Sequence, residues 1–222
     1  MRYDDYSDFC NTIHPRIALI WHTSSALTTK LLYGSAFRAP SFGELGLQNN
    51  PAALGNADLK PETIDTYEVA FSHRPRAYLQ INLNLFTYQA QDLIEFVPSA
   101  VGNKASNARD QEGYGFEWEV NWEVNKQWRL NSSLAWQQSE DSDTGNAIAD
   151  APGRQFMLNS YWKVAPQWLL SSQLNWVGDR VRGAGDTRDS IGDYSLVDFT
   201  LKRQNIYKNL DISLGVRNVF DK

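Results

Sequence analysis

The 222-residue sequence holds one cysteine and only three histidines. A lone Cys10 excludes an internal disulfide framework and any zinc cluster built from thiolates, and it reads as an inert thiol. His14, His22 and His73 match no zinc spacing and are expected on separate strands at different heights. Basic charge is scarce: 21 Lys and Arg against 26 Asp and Glu give a net charge of −5, so nucleic acid is not an expected partner. No apolar run approaches the roughly 18 residues of a membrane-spanning helix. Helical periodicity is nearly missing, no G-x-S-x-G occurs, and "GYG" at 113–115 precedes no helix that would make it a phosphate cradle. The opening "MRYDDYSDFC" is polar and acidic, unlike a cleavable export signal.

Aromatic residues are plentiful, with eight Trp, ten Tyr and ten Phe, and period-two alternation dominates. In "YLQINLNL", Leu79, Ile81, Leu83 and Leu85 fall on one face, opposite Gln80, Asn82 and Asn84. In "GYGFEWEVNWEV", Tyr114, Phe116, Trp118, Val120, Trp122 and Val124 oppose Gly115, Glu117, Glu119, Asn121 and Glu123. The pattern recurs at 27–37, 128–136, 156–162, 168–176, 196–201 and 210–216. With "IHPRIALIWH" and "TIDTYEVAFS" it gives ten strands. The chain is expected to be all-β. Short turns at "TSSA", "HRPRA", "VNKQ", "VAPQ" and "QNIYKN" alternate with long polar segments at 38–61, 98–111, 140–152 and 179–193. In an antiparallel meander, that order puts every short turn at one end and every long loop at the other.

The pattern W-x-V-x-x-Q-W-x-L occurs at Trp122 and again 40 residues later at Trp162. A propeller blade would pack four strands of about five residues into that interval. Here it holds two strands of about 9–12 residues and a loop, long enough to cross a bilayer at a tilt. The repeat is a hairpin. Trp21, Trp122, Trp128, Trp162 and Trp168 sit beside short turns, while Tyr88, Tyr114, Trp136 and Trp176 sit near the other ends. Two aromatic bands with aliphatic residues between them match the girdles of an outer-membrane barrel, where an indole is apolar with one polar handle. A mean hydropathy of −0.49 agrees, because only alternate residues would face lipid. Alternation alone leaves a soluble sandwich open, since the apolar face could meet a second sheet.

Three ordered segments carry a family resemblance: "YGSAFRAPSFGEL", "LGNADLKPETIDTYEVAFSHR" and the end "GVRNVFDK". They resemble the TonB-dependent outer-membrane receptors, in style closest to the colicin I, catecholate-siderophore and cobalamin group. The matching positions are Phe37, Arg38, Ala39 and Pro40; Gly55, Asn56, Leu59, Pro61 and Glu62; and Asn218, Phe220 and Asp221. The resemblance implies a partial transmembrane β-barrel, an antiparallel meander of about ten long strands over residues 1–222, with short periplasmic turns and long extracellular loops. The family closes a barrel of about 22 strands around an N-terminal plug. Neither the plug nor the final, aromatic-ended strand is expected here. The chain is therefore expected to be a piece of a longer protein, in keeping with an opening that is no export signal. The implied function is active import of a scarce nutrient such as an iron–siderophore complex, energised by TonB through the plug. Implied partners are outer-membrane lipid, lipopolysaccharide and the ferric siderophore, with no cofactor, no metal and no catalysis. A passive porin-like or structural barrel, or an outer-membrane barrel enzyme, remains an alternative.

Within that frame, Pro40 and Pro61 bound strands because proline cannot donate to a ladder. Candidate ligand contacts are the loop arginines Arg38, Arg109, Arg180, Arg182 and Arg188, whose guanidinium groups form charge-assisted bonds to anions; Asp179, Asp186 and Asp189 compete for some of them. Glu117, Glu119 and Glu123 lack a histidine or nucleophile and read as lumen wall, with Arg16, Lys30, Arg129 and Arg217 as counter-charges. Asp141, Asp143 and Asn146 around Gly145 faintly resemble a calcium loop, but without the bidentate glutamate they read as a solvated acidic loop.

Overall fold

The computed structural model describes residues 2–4, 12–50, 52–100, 102–149, 151–183 and 185–221. Cys10 lies outside the described residues. The strands are β1 (Arg2–Asp4), β2 (Thr12–His14), β3 (Arg16–His22), β4 (Leu27–Arg38), β5 (Ala53–Leu54), β6 (Glu62–Arg76), β7 (Leu79–Ser99), β8 (Gly102–Asn125), β9 (Trp128–Asp141), β10 (Pro152–Ala165), β11 (Trp168–Arg180), β12 (Tyr194–Tyr207) and β13 (Leu210–Val216). One short helix, α1 (Phe42–Gly46), interrupts them. β1 and β2 pair with each other. The rest form one sheet in the order β13-β12-β11-β10-β9-β8-β7-β6-β4-β3, with β5 beside β8. Apart from the parallel β5–β8 pair, every ladder is antiparallel and joins strands consecutive in the chain, save that β4 pairs with β6 past β5. The ten-strand meander is as expected, and its two outer strands do not pair with each other.

The registers carry the alternation across the sheet. Leu83 lies opposite Trp118, Trp118 opposite Leu134, and Leu134 opposite Phe156, so apolar residues meet on one face. On the other face Asn84 meets Glu117 and Asn82 meets Glu119. Among the described residues no second sheet covers the apolar face. Among the described residues the only buried hydrophobic side chains are Leu59, Ala90 and Ala105, while Leu31, Trp162 and Phe199 remain 47, 48 and 41% exposed. A sandwich of this size would bury such side chains in a dry core. The open sheet has no interior of its own.

Both aromatic bands lie on the apolar face. Near the short turns, Trp128 pairs with Trp162 across the β9–β10 ladder, ring centroids 6.5 Å apart, and its indole Nε1 donates to Ser160 Oγ at 2.9 Å. At the other end Trp136 packs against Tyr114 at 5.6 Å and Phe116 at 5.9 Å. Trp128 to Trp136 and Trp168 to Trp176 each span eight residues, about 27 Å along a strand and roughly 20 Å across a bilayer at the usual tilt. Tyr88 corrects the expected band. It stands on the polar face opposite Gly113, donates to Ser139 Oγ at 2.8 Å and accepts from Gln111 Nε2 at 2.6 Å.

Four short turns repeat one device. Ala26, Tyr78, Gln127 and Gln167, each just before a strand, accept through their carbonyls from Arg74, Glu123, Lys163 and Gln204. Each ladder thus gains one bond before the strand bulges away. Histidine placement differs from expectation as well. His22 and His73 sit at the same short-turn end, on opposite faces of the sheet, because Thr28 pairs with His22 and the adjacent Leu27 with His73. His14 lies at the far end, bonded to Ser35 Oγ.

Candidate functional site

The long-loop end carries most of the non-repetitive structure, and its largest feature was expected as a loop. Residues 98–99 and 102–111 instead belong to strands. β7 and β8 stay paired past Ala90 to the Ser99–Gly102 pair, across two register shifts. Asp92 takes the corner with φ 56°, and Asp110 Oδ1 accepts its N–H at 2.9 Å. Beyond the corner the hairpin extends some 20–25 Å, and β5 docks on its tip through Ala53 opposite Asn103.

Two sequence motifs meet at the foot of this hairpin. Arg38, ending β4, donates Nε and Nη2 to the two carboxylate oxygens of Glu62, both at 2.6 Å. Its Nη1 and Nη2 also reach Glu44 at 3.0 and 3.1 Å. Glu44 belongs to a capping box: Ser41 Oγ caps the Glu44 N–H, and Glu44 returns a carboxylate to the Ser41 N–H at 2.7 Å. The Arg38 guanidinium, and then the Ser41 bonds, hold the Glu44 carboxyl down to about 2. Glu62 Oε1 in turn accepts the Ile94 N–H of the hairpin at 2.8 Å. One arginine therefore ties β4, α1, β6 and β7 together.

The second tie is Asn107, which no sequence motif marks. Its Oδ1 accepts from Lys60 N at 2.9 Å, and its Nδ2 donates to Lys60 O at 2.9 Å and Asp92 O at 2.7 Å. Leu59 is 5% exposed, Pro40 is buried and Pro61 half-buried. Phe37 stacks on His14, centroids 4.6 Å apart, and Ala39 continues to Pro40. Gly55 and Asn56 close back on α1, donating N–H to Leu47 O and Glu44 O, each at 2.7 Å. A Cβ on Gly55 would lie 2.5 Å from Leu47 N, so a close backbone approach demands glycine. At the chain's other end Asn218 donates its N–H to Asp198 Oδ1 at 2.8 Å and Val219 its N–H to Val197 O at 2.9 Å. Asp221 N bonds back to Asn218 O, and Phe220 is exposed.

The structure does not bring the five candidate arginines together. Arg38 lies in its carboxylate clamp. Arg109 pairs with Glu95 across the projecting hairpin. The end of β11 and the loop after it hold the other three. Arg180 lies over the Tyr194 ring at 5.0 Å and donates to Gly192 O at 2.7 Å. Arg182 donates to Asp189 O at 2.7 Å and sits 3.7 Å from Asp186, which Arg188 also grips at 2.6 Å. The bond from Arg188 holds the Asp186 carboxyl below its ordinary range. Asp141 is occupied by its own turn, Oδ1 accepting from Asp143 N, Thr144 N and Thr144 Oγ1. Among the described residues no group of three metal-ligating side chains forms.

On the polar face, a concavity of about 360 Å³ is lined by Lys30, Ser72, Gln80, Asn82, Asn84, Glu117 and Glu119, among others. Asn84 Nδ2 donates to Glu68 at 2.9 Å, Asn82 Nδ2 to Glu119 at 3.3 Å, and Ser72 Oγ to Asn82 at 2.9 Å. Arg129 pairs with Glu123 at 3.4 Å. This is a hydrophilic wall of carboxylates and amides; nothing in it pairs an acid with a nucleophile.

An all-antiparallel meander with two aromatic bands and no core is a segment of membrane-barrel wall. The family model described as "TonB dependent receptor-like, beta-barrel" matches residues 1–219, and the chain belongs to that family. Among solved structures, a variant of the ferric enterobactin receptor PfeA from Pseudomonas aeruginosa, in complex with enterobactin, superposes with a TM-score of 0.84 at 20% identity. It covers 99% of this chain and 37% of its own. The siderophore receptor PirA from Acinetobacter baumannii gives 0.81 at 18% identity, covering 99% of this chain and 38% of its own. The copper transporter OprC gives 0.73 at 19%, covering 93% and 33%. These likenesses establish the fold. The chain spans about a third of the length of each of these proteins. No curated protein sequence matches it. No helix among the described residues is long and apolar enough to cross a membrane.

Proposed function

We propose that this chain is part of the wall of an outer-membrane receptor barrel that actively imports a large, scarce ligand of the ferric-siderophore class, energised through TonB. The observation that carries the reading is the uncovered apolar face with aromatic bands at both ends, on a chain matched by the receptor family from residue 1 to 219. Two unpaired sheet edges, β3 and β13, require further strands of a longer protein, because open ladders are costly in lipid. Arg180, Arg182 and Arg188 are the proposed anion contacts, displayed on a loop over a rigid scaffold. Arg38 ties the projecting hairpin to β4 and β6 through Glu62, and Arg109 pairs with Glu95 within it. Siderophore receptors of the same fold support the ligand class. The copper transporter is the reason to test metal ions beside ferric chelates.

The test is uptake of a radiolabelled ferric siderophore panel by cells carrying the full protein, with and without TonB. Saturable uptake that disappears without TonB supports the proposal. TonB-independent diffusion with open conductance in planar bilayers supports a passive pore instead. Replacing Arg180, Arg182 and Arg188 with Ala together should weaken ligand binding at least roughly tenfold, at about 1.5 kcal/mol or more for bonds to a charged group; unchanged affinity removes them as contacts.

A further inference from the structure

Among the described residues most cations at the long-loop end have a carboxylate partner, Arg16, Lys104, Arg180 and Arg217 excepted, and most at the short-turn end have none. At the long-loop end Arg38, Lys60, Arg109, Arg154, Arg182 and Arg188 each have a carboxylate partner. At the short-turn end the carboxylates Glu123 and Asp211 are taken by Arg129 and Lys202. Arg74, Arg76, Lys126, Lys163, Arg203 and Lys208 remain, with no carboxylate partner among the described residues. The side-chain bonds found for three of them run to neutral acceptors: Arg74 to Ala77 O, Arg76 to Pro75 O, and Arg203 to Gln204 O and Gln167. Five of the six are exposed. All lie on or next to the aromatic band. The Arg203 guanidinium sits 5.5 Å over the Trp168 ring, Lys208 Nζ 5.3 Å over Tyr207, and Lys163 follows Trp162.

We propose that this rim binds the phosphate groups of anionic phospholipids in the leaflet that the short turns border. The inference rests on the membrane reading above and adds a specific lipid class. Indoles fix the depth of the boundary between acyl chains and headgroups. Cations one or two residues further out reach the phosphate layer, and the surrounding protein supplies no competing anion. An anionic surface attracts each such Lys or Arg in a salt-dependent way. A protein partner would be expected to meet an interface of mixed charge, whereas this rim has an excess of cations, its carboxylates Glu123 and Asp211 being taken, and follows the turns of four successive hairpins. Arg182 and Arg188, both already paired with Asp186, are the weaker candidates for lipid phosphate.

Spin-labelled phosphatidylglycerol and phosphatidylcholine, compared in bilayers holding the full protein, test this by electron paramagnetic resonance of the protein-bound lipid component. The proposal expects phosphatidylglycerol to be selected at least about threefold at low salt, with the preference shrinking as salt rises. A variant carrying R74Q, R76Q, K126Q, K163Q and K208Q should bring the ratio near one, while R180Q, R182Q and R188Q together should leave it unchanged. Selectivity that survives the rim variant, or is lost in the loop variant, overturns the proposal. If the rim variant fails to fold, the wild-type salt series decides: no selectivity, or none that salt weakens, overturns it. Equal binding of both lipids refutes this inference alone. No bound component with either lipid refutes the membrane reading too.

Discussion

Arg38 shows how a recognisable motif residue can be occupied by its own protein. It is 46% exposed by side chain, yet Glu44 and Glu62 are only 15 and 16% exposed and face each other once it is removed. Arg38→Ala should therefore cost about 1–3 kcal/mol locally. The loss is best read as faster hydrogen exchange at the Ile94 amide, which Glu62 holds. Glu44 gives this clamp a pH signature. Its carboxyl sits at about 2 against 4.5 unperturbed, so the stabilisation is complete above roughly pH 4.5 and is lost as pH falls toward 2. Corrected for the intrinsic pH dependence of exchange, protection of the α1 amides should fall across that window in wild type, and this fall should vanish in Glu44→Gln. Gly115 offers a purely steric test. A Cβ there would lie 2.3 Å from Trp136 O and 2.8 Å from the Phe86 ring, whereas Gly34 has nothing within 4 Å. Gly115→Ala should lose about 1–3 kcal/mol by overpacking and Gly34→Ala should be near neutral, measured as the heat-modifiable folded fraction.

Among the elements, strands were legible where one face meets an apolar surface. There the side-chain period of two is written into the sequence, as in Leu79, Ile81, Leu83 and Leu85, and a register slip would invert it. Past Asp92 that constraint ends. "GNKASNARDQ" has no apolar stripe, so a paired hairpin read as a loop. β5 and α1 were hidden for a related reason, since each is too short to display a period. Arg38 was visible as a motif residue, but its partner Glu62 lies 24 positions away, and pairing at that range is a property of register. The same applies to Asn107, 47 residues from Lys60. Replacing Asn107 with Ala should free the Lys60 backbone and raise hydrogen exchange at 59–61 and 92–94. The membrane-spanning strands should be unaffected.

For the whole molecule, the open edges govern behaviour. β3 and β13 present unpaired backbone and exposed residues such as Ile17 (64%) and Leu214 (71%). The isolated 222-residue chain is therefore expected to aggregate and to transport nothing. A monodisperse, transport-competent preparation of it would contradict this. Within a closed barrel the same edges would be paired, the carboxylate-and-amide face would line water, and the apolar face would meet acyl chains. That last assignment supports import, lipid selection and the role of the tryptophans alike. Nitroxide labels placed one at a time at positions 130–134, with Cys10 replaced, test it in bilayers holding the full protein. Labels at Leu130, Ser132 and Leu134 should be open to oxygen dissolved in the bilayer and closed to a water-soluble nickel reagent, with Asn131 and Ser133 showing the reverse. Uniform shielding of all five from both reagents would place the apolar face inside protein and contradict the account.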